Sequence, residues 1–250
     1  MQRYFVDQKN VAPDRQEIII VGDDVAHITK VMRSTVGTRF ICCDEQGSCY
    51  VCKVEGMEKD KVICRMEEQL LESRELPIKI TIAQGLPKGD KMEMVIQKGT
   101  ELGAHVFVPF TSSRTVVQLD AKKEQKRVER WSKIAKEAAE QSHRQFVPSI
   151  QPLHSWKQLL NLAKEYDVAL LAYENEQAGT LHEAFGRLQA GSRVLLAIGP
   201  EGGFSELEVR EAMEYGFLSV SLGKRILRTE TAALYGLSCI SYYYEQLGGR

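Results

Sequence analysis

A change of rhythm near residue 73 constrains this chain more than any other feature. Before it, runs of β-branched, aromatic and Cys residues follow at short intervals, at Ile18–Val21, Arg39–Cys43, Ser48–Val54 and Lys61–Met66. That is the pattern of strands in a small barrel. Asp44-Glu-Gln-Gly47 reads as a hairpin turn between two of them, with Gly able to take a positive φ. One helix is expected over Asp23–Arg33, where Val25, Ile28, Val31 and Met32 recur at helical spacing. After the charged stretch Glu68–Glu75 and Pro77, strands alternate with helices, which implies an α/β layer on a mostly parallel sheet. Strands are predicted at Ile78–Ala83, Ala104–Pro109, Asp167–Tyr173, Arg193–Ile198 and Leu218–Leu222. Helices are predicted at Lys91–Leu102, Ala121–Ser142, Ser155–Glu165, Thr180–Leu188, Glu206–Tyr215 and Glu230–Glu245. Two domains are therefore expected, 1–72 and 73–250.

The balance of residues excludes several classes. With 43% hydrophobic and 27% charged residues and a net charge of −1, the chain is neither disordered nor fibrous. The opening Met1–Asp7 has no apolar core of a signal peptide. Runs such as Val168–Tyr173 and Val194–Ile198 are far short of a bilayer span. A cytoplasmic protein with no membrane segment is expected, and its six Cys then read as buried thiols. Cys49-Tyr-Val-Cys52 has zinc-like spacing. In a strand, however, those two positions face opposite ways, so no metal is expected.

The nucleotide and hydrolase fingerprints are missing: no G-x-G-x-x-G, no P-loop, no G-x-S-x-G and no H-E-x-x-H occurs. Two other segments stand out. Ile198-Gly-Pro-Glu-Gly-Gly203 follows a hydrophobic strand and precedes a helix with the capping box Ser205-x-x-Glu208. Three Gly in five residues let backbone approach a ligand closely, at the strand end where α/β sheets bind ligands. Leu222-Gly-Lys-Arg-Ile-Leu-Arg-Thr-Glu-Thr-Ala-Ala233 also leads from a strand into a helix. Its Ile226, Leu227, Arg228, Thr231 and Ala232 combine apolar contact with a cation and helix N-terminal amides. A Pro-Gly turn and a helix cap are the plainer explanations of the two segments.

Taken together, the paired segments resemble those of the SPOUT class of RNA methyltransferases. They are most similar to the ribosomal RNA small subunit methyltransferase E family. Arg3-Tyr-Phe-Val, His27–Arg33, Gln97-Lys-Gly-Thr-Glu-Leu-Gly103 and Glu137–Arg144 extend the resemblance over nearly the whole chain. Met32 stands where Leu is frequent, and Ala138-Ala139 precede Glu140-Gln-Ser where a Cys is common. The resemblance implies a PUA-like β-barrel followed by a trefoil-knot α/β domain, a homodimer, and S-adenosylmethionine as cofactor. Its cofactor residues would be Ala172 and Tyr173, the Ile198, Gly199, Pro200, Glu201, Gly202 and Gly203 loop, and Leu222, Gly223, Ile226, Leu227, Arg228, Thr231 and Ala232. It also implies methylation of N3 of one uridine of 16S rRNA, conventionally position 1498, in the small ribosomal subunit. A β-branched residue at Gly202 is expected to abolish cofactor binding.

Segment 112–147 carries nine basic residues against five acidic, whereas 1–72 is net negative. This favours RNA contact along the long helix and its preceding loop, although a solvated helical face carries similar charge. Arg114, Arg144, Gln141, Arg33 and Arg3 are the candidate RNA contacts, Arg being the better phosphate fork. Uracil N3 must lose a proton to become nucleophilic. Glu201 and Glu140 are the candidate bases, and Arg228 the cation that favours the anion. Arg144 is a candidate to reach the site from the partner subunit. The rival readings are a SPOUT enzyme for another rRNA or tRNA nucleotide, a non-catalytic RNA-binding protein, and a nucleotide-dependent metabolic enzyme.

Overall fold

The boundary of the first unit lies between Glu75 and Leu76, and a later segment, Ala139–Val147, returns to it. The computed structural model describes residues 1–176, 179–186 and 188–248. The six strands of this unit are β1 (Arg3–Phe5), β2 (Val11–Ala12), β3 (Glu17–Val21), β4 (Arg39–Cys43), β5 (Cys49–Met57) and β6 (Lys61–Leu70). They pair in the order β1-β4-β5-β6-β3-β2, with only β1–β4 parallel. The sheet curls round Tyr4, Ile18, Phe40, Val54 and Val62, all nearly or fully buried, and β1 and β2 are its two ends. The Asp44 carboxylate accepts the Gln46 and Ser48 amides at 2.9 Å each, and Gly47 turns the hairpin at φ +84°.

The predicted Asp23–Arg33 helix is irregular. α1 (Asp23–Ala26) widens into a π turn over His27–Val31, where the Met32 amide reaches back to the His27 carbonyl at 2.9 Å. The Thr29 hydroxyl donates to the Val25 carbonyl at 2.7 Å, and such back-bonding competes with the regular ladder. The turn ends at Arg33 with φ +50°.

The five cysteines of this unit divide into two sets. Cys43 and Cys49 sit directly opposite across the β4–β5 hairpin, with Cα atoms 4.1 Å apart, and form a disulfide. The expectation of six thiols is therefore corrected: hairpin register, invisible in the composition, brings these two together. Cys42, Cys52 and Cys64 are free and buried in the core. Hydrogen bonds with Cys52 and Cys64, together with burial, hold the Cys42 thiol well above its ordinary pKa, so it stays protonated.

Two expected RNA contacts belong instead to the interior of this unit. Arg144 is 4% exposed and grips Glu75 with Nη2 at 2.6 Å and Nε at 3.0 Å. The Gln145 amide donates to the same carboxylate at 2.7 Å. Arg3, 3% exposed, donates to the Arg144 carbonyl. A buried guanidinium with a bidentate carboxylate has no fork left for phosphate. The same burial removes Arg144 as a candidate for the partner's site. Arg144→Ala should lower unfolding stability by about 3 kcal/mol, because it leaves Glu75 charged and uncompensated. Urea denaturation reads this directly, and unchanged stability with weakened RNA binding would restore the original expectation.

In the second unit the strands are β7 (Lys79–Gly85), β8 (Val106–Thr111), β9 (Ser149–Ile150), β10 (His154–Ser155), β11 (Val168–Ala172), β12 (Arg193–Ile198) and β13 (Phe217–Val220). All pair in parallel, in the order β10-β8-β7-β12-β11-β13, with β9 also on β8. The helices are α2 (Lys91–Glu101), α3 (Ala121–Gln141, its last turn in the first unit), α4 (Trp156–Leu162), α5 (Leu181–Phe185), α6 (Glu206–Glu214) and α7 (Thr229–Glu245). Each predicted helix is present, but Arg187 in the expected Thr180–Leu188 span lies outside the described residues. The Ser205–Glu208 capping box forms as expected, and Ser155–Gln158 and Thr180–Glu183 repeat it on α4 and α5. Among the described residues no helix is long and apolar enough to cross a membrane.

Candidate active site

The order β7-β12-β11-β13 puts the ends of β11, β12 and β13 side by side. Their carboxyl-end loops enclose a cavity of about 720 Å³, a volume suited to a small-molecule ligand. Ala172 and Tyr173 enter it from the end of β11. Ile198, Gly199, Pro200, Glu201, Gly202 and Gly203 enter from β12. Leu222, Gly223, Ile226, Leu227, Arg228 and Ala232 come from the segment between β13 and α7. Thr231, also expected there, is not in the lining, whereas Thr229 is. Sequence reasoning also missed Lys91, Glu174, Glu176, Ser221, Lys224 and Arg225. Glu174 and Glu176 stand just beyond a predicted strand end, which was the available signal.

The glycine loop is tight at positions other than the one singled out above. Gly203 closes a turn onto the Pro200 carbonyl at 2.8 Å with φ +64°. A Cβ on Gly199 would stand 2.9 Å from the Gly203 backbone carbon, an overlap only backbone movement could relieve. A Cβ on Gly202 would meet Arg114 Cβ at 3.1 Å, a milder overlap that a shift of a few tenths of an ångström relieves. Arg114 is exposed and donates Nη1–H to the Gly202 carbonyl at 2.6 Å. The neighbouring Ser113 amide donates to Glu208 at 2.8 Å.

Glu201 is held as an ion. Its Oε1 lies 2.7 Å from the Lys91 ammonium and accepts the Lys88 amide at 3.0 Å. Burial alone would raise its pKa, but these partners outweigh it and lower the pKa. These two contacts tie Glu201 to the start of α2 and anchor the loop. Arg228 is exposed, lines the cavity and precedes the first turn of α7. Glu140, Gln141 and Arg33 belong to the first unit, where Gln141 and Arg33 are exposed. Among the described residues no three His, Cys, Asp or Glu are placed to hold a metal ion.

The cavity suits S-adenosylmethionine chemically. Ala172, Ile198, Leu222 and Leu227 offer apolar surface, Glu174 and Glu176 carboxylate acceptors, and Arg228 a cation. The absence of a side chain at Gly199 lets the Gly203 backbone close against it and sets the shape of this wall.

Comparison with known proteins shows the family. A family model described as an RNA methyltransferase domain matches residues 74–241, and an RNA methyltransferase PUA domain matches 20–67. Ribosomal RNA small subunit methyltransferase E of Bacillus subtilis is 49% identical, over 100% of this chain and 99% of its own length. The Synechocystis protein of the same name is 33% identical, over 94% of this chain and 77% of its own. A crystal structure of ribosomal RNA small subunit methyltransferase E from Neisseria gonorrhoeae, bound to S-adenosyl methionine, superposes with a TM-score of 0.83 at 29% identity. That alignment covers 98% of this chain and 97% of the other.

Proposed function

Because the chain belongs to the ribosomal RNA small subunit methyltransferase E family, we propose that it methylates N3 of one uridine of 16S rRNA, conventional position 1498, using S-adenosylmethionine. The observation that carries this reading is the convergence of the Gly199–Gly203 loop and the Leu222–Ala232 segment on one cavity. On this reading the substrate is the RNA of the small ribosomal subunit, and a cytoplasmic location is part of the proposal.

S-adenosylmethionine, when bound, supplies a methyl group already activated on a sulfonium. The chain's own residues then have to orient the uracil, exclude water and favour loss of its N3 proton. Arg228 is the cation for the developing anion, since a fixed guanidinium stabilises negative charge without changing its own protonation. Lys91 is unsuited to that role because Glu201 already pairs with it. Glu140 is the carboxylate to test as base, through Glu140→Gln. The cofactor residues are those of the cavity lining, Thr229 excepted because its hydroxyl already donates to the Gly199 carbonyl.

RNA is held by a PUA-like first domain and by exposed residues, of which Arg33, Gln141 and Arg114 are the remaining candidates. Losing one phosphate contact should flatten the slope of log affinity against log salt by about 0.7 to 0.9. Arg33→Ala should do this on a 16S rRNA fragment with cofactor affinity unchanged. An unaltered slope assigns the contact elsewhere. A homodimer is also proposed. The exposed Tyr235 and Tyr242, two turns apart on α7, offer apolar surface for it, and sedimentation equilibrium gives the mass.

The decisive experiment is mass spectrometry of 16S rRNA from cells with and without this protein. Loss of one methyl group at the single uridine is expected, with its return on complementation. Full methylation without the protein would overturn the reading.

A further inference from the structure

Gln84 lies on β7, the strand at the middle of the parallel sheet, opposite Ile198 of β12. It is fully buried, although an amide side chain is a costly group to place in a core. Its Nε2 donates to the Thr229 hydroxyl at 2.7 Å and to the Gly85 carbonyl at 3.0 Å. The Thr229 hydroxyl, itself 6% exposed as a residue, donates to the Gly199 carbonyl at 2.6 Å. A hydroxyl has one proton to give, and Thr229 gives it to Gly199. It must therefore accept from Gln84, which fixes the amide with Nε2 toward Thr229. That orientation leaves Gln84 Oε1 buried with no hydrogen-bond partner. Native interiors rarely keep such an orphan acceptor without a reason.

The chain Gln84–Thr229–Gly199 joins the sheet centre to both walls of the cavity. Gly199 begins the glycine loop, and Thr229 ends the segment that carries Leu222, Leu227 and Arg228. Neither loop has regular structure to hold it at a set distance from the other. The geometry points to Gln84 and Thr229 as positioning residues that hold the two walls of the cavity at cofactor-binding separation before any ligand arrives. Rigid walls spare the ligand the cost of ordering them on binding. This inference rests on the reading of the cavity as an S-adenosylmethionine site.

The test uses the full-length protein and three single variants: Thr229→Val, which keeps the shape and removes the hydroxyl; Thr229→Ser, which keeps the hydroxyl; and Gln84→Met, which keeps the length and removes the donor. Calorimetric affinity for S-adenosylmethionine should fall about 10-fold in Thr229→Val and Gln84→Met, the usual scale for a broken buried hydrogen bond. Thr229→Ser should stay within about 3-fold of the parent. The cofactor KM should rise in parallel, while kcat at saturating cofactor holds. The double variant should bind no worse than the weaker single one, because both act through one chain of bonds.

A merely structural pair would lower the melting temperature and leave the affinity of the folded protein alone, which would overturn the proposal. So would a Thr229→Ser variant as weak as Thr229→Val, since packing would then be the cause. If Gln84→Met does not fold, the Thr229 pair decides by itself. Failure of the unaltered protein to bind S-adenosylmethionine would instead overturn the reading of the cavity.

Discussion

Gly199→Val should weaken S-adenosylmethionine binding by roughly 100-fold while the fold persists. Even the first added carbon would overlap the Gly203 backbone at 2.9 Å. Overpacking of this kind costs about 3 kcal/mol, which corresponds to roughly 100-fold in affinity if the loop must move to accommodate it. Gly202→Ala is the control, because its Cβ meets Arg114 Cβ at 3.1 Å rather than backbone at 2.9 Å, and it should lose only a few-fold. Calorimetry on both, with circular dichroism to verify folding, makes the comparison. Equal losses at the two positions would show that the close approach lies elsewhere in the loop.

Arg228→Ala should slow single-turnover methylation by about 100-fold or more, the scale on which one preorganised charge stabilises a transition state. Cofactor affinity should change far less. The rate should rise with pH until the N3 proton is largely lost, and removing the cation should move that rise to higher pH. The sign follows because a positive neighbour favours the anion, so its absence raises the pKa of the uracil imide in the site. Arg228→Lys should recover part of the rate, since charge is restored without the planar fork. A wild-type rate and profile in Arg228→Ala would remove this residue from the chemistry and turn attention to Lys224 and Arg225, also in the lining.

The two corrected arginines show where reading by residue type stops. Arg144 stands in a basic stretch at the end of a long helix, and on charge alone it belongs with the RNA contacts. Its fate is decided by Glu75, 69 residues away in sequence, and local composition does not specify that pairing. Cys43 and Cys49 are six residues apart across a predicted hairpin turn, so strand register could have been used to pair them. The assumption of a reducing compartment set that aside. Gln84 offered no signal at all: a Gln at the end of an apolar strand is distinguished only by the Thr229 hydroxyl that tertiary packing brings to it.

What the sequence by itself determined is local and periodic. Alternation of apolar residues, Gly and Pro punctuation and capping boxes specify strands and helices, because backbone sterics and nearest-neighbour hydrogen bonds act over a few residues. The glycine loop and the Arg228 segment were legible for the same reason, each being a short run with its own chemistry. Only the tertiary structure decided that both runs face one cavity, that Gly199 rather than Gly202 is the tight position, that Glu201 is tied to Lys91, and that Arg3 and Arg144 are interior. Each of these depends on strand order and on partners tens of residues apart, and the energy that selects them comes from burial and pairing across the fold.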